Sequence, residues 1–169
     1  MAKKGKVKNG NNKAKHTKLL NQKKNKVKSA KLQNKIRLKE IVSRSKILLQ
    51  NCPCGSEKSY QDCCHIAHKN INVVQTAEQL MRSRYTAFTM GDIDYLMQSH
   101  HSSTRPIHEK DEILAWAKAV KWQKLEILNT TADTVEFKAY FNENSKDEYL
   151  HENSKFVKEN GVWMYLDRV

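Results

Sequence analysis

The 169-residue chain reads as an α+β protein: helices packed on a curved antiparallel sheet, preceded by a small metal-bound module and a basic tail. Three observations predict this. Apolar residues recur at helical spacing between residues 76 and 120 and at twofold spacing from Leu125 onward. The four cysteines, Cys52, Cys54, Cys63 and Cys64, crowd into one window. Residues 1–50 carry 17 Lys/Arg against a single acid, Glu40, a net +16, whereas the rest holds 14 basic and 17 acidic side chains, a net −3.

Residues 1–30 form a Lys/Asn/Gln-rich tail without aromatics. Such a segment buries too little apolar surface to offset its ordering entropy and is expected to be disordered. Across residues 31–50, Leu38, Ile41, Val42, Leu48 and Leu49 fall on one helical stripe, which predicts a basic amphipathic helix. Charge of this density fits RNA or ribosome binding by displacement of counterions from phosphates. A merely solvated extension fits it as well. The stripe lacks a Trp or Phe anchor for a membrane surface. No segment approaches the roughly 18–20 apolar residues of a membrane span.

Residues 51–70 hold the pattern C-x-C-x8-C-C. Two thiolate pairs joined by a short loop can each supply two corners of a tetrahedral site. Disulfides or inert thiols are the competing readings. Disulfide frameworks belong to exported chains, and residues 1–18 contain no apolar stretch resembling a signal peptide. Reduced cysteines holding a structural metal, zinc or alternatively iron, in the cytoplasm are therefore expected.

Residues 72–169 form the ordered domain. Thr76 with Gln79 gives a capping box, Ala77 to Phe88 an apolar helical face, and Gly91 the stop. Asp92 caps a shorter helix carrying Ile93, Leu96, Met97 and His100. A third helix is expected from about Asp111, with Ile113, Trp116, Ala117 and Val120 on one side. Strands follow at Leu125–Ile127, Val135–Phe141, Leu150–Val157 and Val162–Asp167, and Asn160-Gly161 predicts a type I′ hairpin between the last two.

With these pieces in place the chain resembles the bacterial YchJ-like family, which joins a SEC-C metal motif to a nuclear-transport-factor-2-like (NTF2-like) domain. The resemblance rests on Cys52-Pro53-Cys54-Gly55-Ser56, Tyr60, Cys63-Cys64, Thr76-Ala77-Glu78, Met81-Arg82-Ser83-Arg84-Tyr85, Gly91 to Leu96, Ser103-Thr104-Arg105, His151-Glu152 and Gly161-Val162-Trp163. It covers about residues 51–169 and leaves the basic tail outside. The resemblance implies a metal on Cys52, Cys54, Cys63 and Cys64. SEC-C motifs of the translocation motor SecA carry Cys-His where this chain has Cys63-Cys64, and His65 follows, so Cys64 or His65 is the fourth ligand. His65 and His68 are expected to face solvent, and Tyr60 to pack over the site.

The implied cone-shaped domain leaves room for a pocket between helices and sheet, with Arg84, Tyr85, Trp116, Trp122, Tyr140, His151, Glu152 and Trp163 as candidate lining. A buried Arg84 needs a partner, and Glu152 is the natural one. His151 and Glu152 are adjacent on a strand, hence on opposite faces, and do not form a catalytic dyad. The expected function is a non-enzymatic zinc-binding adaptor for a protein or ribosomal partner, with RNA affinity from the tail. The alternative is a small-molecule binder or enzyme using the pocket.

Overall fold

The structure, a computed structural model, describes residues 10–169, so the expectation for residues 1–9 lies outside the described residues. The chain forms two compact units, one ending at Lys46 and the other running Ile47–Val169. Helix α1 spans Gly10–Leu49. The stretch from Gly10 to residue 30, expected to be disordered, is thus helical. It has no proline and no glycine after Gly10, and its Lys, Gln, Leu and Ala residues are good helix formers. Farther along, Leu38, Ile41, Val42 and Leu49 of the stripe are all exposed. Leu48 alone among the stripe residues packs against the cysteines.

The second unit contains the short helix α2 (Cys64–Lys69), then α3 (Ala77–Met90), α4 (Ile93–Gln98) and α5 (Lys110–Ala119). Four strands follow: β1 (Lys121–Thr130), β2 (Thr134–Glu143), β3 (Lys146–Glu159) and β4 (Val162–Arg168). They pair as an antiparallel meander in sequence order. The sheet bends where the register shifts, at Trp122/Lys124, Ile127/Asn129 and Lys155/Phe156. This is the α+β architecture with helices on a curved antiparallel sheet.

The local signals explain the element ends. Thr76 Oγ1 accepts from the Gln79 N–H at 3.1 Å, while Gln79 Oε1 accepts from the Gln75 N–H at 2.8 Å, so the capping box closes one residue early. Gly91 ends α3 at φ 65°, a conformation costly for any residue with a Cβ. Asp92 Oδ1 caps α4 by accepting from the Tyr95 N–H. Asn160 and Gly161 both have positive φ, as a type I′ turn demands. The β2–β3 turn, Asn144-Ser145, does the same without a glycine. Its signal was weak, and strand β3 accordingly begins at Lys146 rather than Leu150.

The core lies between α3 and the inner sheet face. Alternation along β2 buries Val135, Phe137, Ala139 and Phe141, and α3 meets them with Leu80, Met81 and Tyr85. Phe156 on β3 is fully buried at the centre. Phe156→Ala is expected to cost about 3–5 kcal/mol through lost transfer energy and the cavity it leaves. Urea unfolding should report it as a lower midpoint at unchanged m-value.

Candidate metal centre

The cysteines sit on a short looped-back segment and the helix that follows it. The Cys52 N–H donates to Lys58 O at 2.7 Å and the Tyr60 N–H to Gln50 O at 2.8 Å, folding residues 50–60 into a small knuckle. Gly55, at φ 77°, makes the turn after Cys54. Cys63 immediately precedes α2, and Cys64 opens it. Cys52, Cys54 and Cys64 are buried, Cys63 is half-buried, and all four are free thiols.

Their four Sγ atoms lie within 4.8 Å of one another. Cys54 and Cys63 are 3.6 Å apart and Cys63 and Cys64 3.9 Å. A tetrahedron with zinc–sulfur bonds of about 2.3 Å has edges of about 3.8 Å, so the donor set fits such an ion. His65 is not a member of this group; its ring stands against Tyr60, with centroids 5.1 Å apart. The protons are unevenly held. Hydrogen bonds from Cys54 and Cys64 hold the Cys52 thiol well below its usual range. Hydrogen bonding to Cys52 pushes Cys54 up, and hydrogen bonds with Cys52 and Cys54 push Cys64 up, with burial adding to both.

Surrounding groups orient the sulfurs. The Ser56 hydroxyl lies 3.1 Å from Cys63 Sγ, and Thr86 Oγ1 lies 3.7 Å from Cys52 Sγ. Arg82 on α3 donates to Cys54 O at 2.8 Å and pairs with Glu78 at 2.7 Å. Tyr60 is buried against the cysteines. Its hydroxyl meets His68 Nδ1 at 2.9 Å, and His68 Nε2–H donates to Ser83 O, also at 2.9 Å. His68 is therefore not the solvent-facing residue that its position after the motif suggested; only 5% of its side chain is exposed. Burial lowers its pKa and keeps it neutral, so Nδ1 can accept the Tyr60 proton. These contacts tie the cysteine segment to α3.

The pocket candidates divide into two groups. Arg84, Tyr85, Trp116, Trp122 and Glu152 line a cavity of about 270 Å³ between the helices and the inner sheet face. Tyr140, His151 and Trp163 do not. Tyr140 stacks on Tyr149 and donates to Glu126 on the open face of the sheet. His151 pairs with Glu136 there at 2.8 Å, opposite in facing to Glu152. The parity of β2, with Phe137, Ala139 and Phe141 inward, already placed Tyr140 outward. Trp163 Nε1–H instead reaches Gln75 O ahead of α3. The expected Arg84–Glu152 ion pair does not form: Arg84 Nη1 donates to Leu96 O at 2.9 Å and Ser99 Oγ at 2.7 Å. Sequence reasoning missed His100, Ser154 and Tyr165 on the cavity wall. Period two counted from Glu152 would have found Ser154; His100, expected on the second helix, follows the end of α4 and stands on the cavity wall instead.

Fold and site together define a four-cysteine SEC-C motif set on an NTF2-like domain. Residues 76–168 match the family described as YchJ, middle NTF2-like domain. The chain is 44% identical over 126 residues to a UPF0225 protein of Vibrio parahaemolyticus, covering 71% of this chain and 75% of that one. A UPF0225 protein of Streptomyces coelicolor is 41% identical over 123 residues, covering 69% and 92%. A SEC-C motif containing protein from Psychrobacter arcticus, known from a crystal structure, superposes with a TM-score of 0.62 at 30% identity, covering 72% of this chain and 82% of that one. The solution structure of another, from Rhodopseudomonas palustris, gives 0.62 at 32% identity, covering 71% and 98%. The chain belongs to the YchJ family.

Two outcomes follow from this geometry. Tyr60→Phe leaves His68 Nδ1 without its hydrogen bond, facing only Asp92 Oδ2 at 4.0 Å, and should cost about 1–3 kcal/mol in chemical denaturation. His100 is pushed down to about 4 by burial, helped by the charges of Arg84 and Arg105. The unfolded chain takes up its proton near pH 6.5 and the folded chain only near 4, so stability falls as pH drops through that window. Thermal unfolding across it should show a loss of about 1–3 kcal/mol that His100→Gln largely removes.

Proposed function

We propose that this protein is a zinc-holding adaptor whose metal has a structural rather than a catalytic role. One observation carries the reading: four buried or half-buried cysteine sulfurs converge within 4.8 Å of one another. Four protein donors leave no position for an activated water. Cys52, Cys54, Cys63 and Cys64 would hold the ion, and when bound it supplies charge that lets all four thiols ionise together. Ser56 and Thr86 would orient the sulfurs, and Tyr60 would shield them from solvent. Iron satisfies the same donor set and is told apart by its colour and mass.

The metal-fixed knuckle then presents a small rigid surface to a protein or ribosomal partner. The Lys-rich N-terminal segment, with its net +16 over residues 1–50, adds affinity for RNA. Four free thiols suit a reducing compartment such as the cytoplasm. Among the described residues no helix is long and apolar enough to cross a membrane.

Native mass spectrometry of the reduced full chain should show one zinc per chain, lost in Cys54→Ser. No metal, or retention by that variant, would overturn the metal reading. Co-sedimentation with ribosomes should weaken roughly a thousandfold between 50 and 200 mM salt, for about six phosphate contacts. A chain lacking residues 1–46 should lose that salt dependence. Binding indifferent to salt would remove the tail from the proposal.

A further inference from the structure

The cavity inside the NTF2-like domain carries chemistry that the metal site does not use. None of its lining residues lies before Met81, so it is separate from the cysteine segment. One wall is aromatic. Trp122 stands edge-on to Trp116 at 5.2 Å and to Tyr85 at 5.7 Å, with Phe88 5.8 Å away. The Trp122 indole N–H is already taken by Ala117 O at 3.0 Å.

The opposite end is polar and incompletely satisfied. Arg84 is 7% exposed, and its guanidinium lies 4.6 Å from the centre of the Tyr165 ring. Only Nη1 has protein acceptors; Nη2 and Nε form no hydrogen bond among the described residues. No fully enclosed side-chain nitrogen or oxygen lacks a partner, so these two donors reach open space, and the open space beside Arg84 is the cavity. Glu152 faces the same space. Its Oε1 accepts from the Ser154 and Tyr165 hydroxyls, and its Oε2 accepts from no described residue. Guanidinium and carboxylate share the cavity, and among the described residues no ion pair joins them.

A buried cation and a nearby carboxylate left apart favour whatever bridges them. Their charges cancel, so a charged ligand is repelled by one of the two and loses its hydration as well. A neutral group with an acceptor beside a donor satisfies both: its carbonyl oxygen takes an Arg84 N–H, and its own N–H donates to Glu152 Oε2. The aromatic wall asks for a flat ring. At about 270 Å³ the space sits near the lower end of small-molecule sites, which suits one or two rings.

We propose that this cavity binds a small, neutral, flat aromatic molecule bearing an amide-type acceptor–donor edge, a carboxamide, lactam or nucleobase. Arg84 and Glu152 read the edge, and Trp116 and Trp122 hold the ring.

The test titrates the full-length protein with benzamide, benzoate and benzamidine, which share a ring and differ in head charge, while the indole N–H resonances of Trp116 and Trp122 are followed by NMR. Benzamide should shift both resonances and bind at least about tenfold more tightly than either charged analogue. Arg84→Met should weaken benzamide about tenfold or more. Because Arg84 is buried and that variant risks unfolding, Glu152→Gln, which keeps the shape, provides the second arm. It leaves the cavity with a net positive charge and should move the preference toward benzoate by about tenfold. The proposal is overturned if benzamide at its solubility limit shifts neither resonance, if a charged analogue binds the unaltered protein as tightly, or if Glu152→Gln leaves the ranking unchanged.

Discussion

Four sulfur atoms within 4.8 Å of one another cannot all carry negative charge unless a cation stands among them. Hydrogen bonds from Cys54 and Cys64 draw Cys52 toward the thiolate, and the hydrogen bonds with Cys52 push Cys54 and Cys64 toward the thiol. A divalent ion bound among them would take the place of protons and replace weak S–H contacts with metal–sulfur bonds. The consequence is structural. The knuckle from Gln50 to Cys64 has a small core of its own, in which Tyr60 and Leu48 pack against the cysteines. A bound metal would supply what so small a core cannot.

Helix α3 is where this segment and the larger domain meet. Leu80, Met81 and Tyr85 pack toward the sheet. Arg82 and Thr86 reach the knuckle through Cys54 O and Cys52 Sγ, and Ser83 O reaches His68 on α2. Arg84, on the same helix, faces the cavity. A helix contacted on several sides has little freedom to shift without disturbing all of them. The order of α3 therefore links the cysteine segment, the core and the cavity within one unit.

Much of the fold was legible because its signals are local and strong. The Thr76 cap, the Gly91 stop, the switch from helical to twofold spacing and Asn160-Gly161 each name a backbone conformation that few other residues favour. The cysteine spacing was equally direct. Contacts across the fold were less so. Arg84 was expected to find Glu152, yet a backbone carbonyl at the end of α4 and Ser99 lay closer, and neither partner has a sequence signature. His68 was misplaced for the same reason, since its partners Tyr60 and Ser83 lie on different segments. The helical start of α1 at Gly10 ran against composition, which measures burial and not the absence of helix breakers.

The most direct test of the central claim is X-ray absorption at the metal edge of the purified reduced protein. The account predicts a zinc edge with four sulfur neighbours at about 2.3 Å and no oxygen shell. A fitted oxygen or nitrogen neighbour from water or His65, or fewer than four sulfurs, would contradict a site closed by Cys52, Cys54, Cys63 and Cys64.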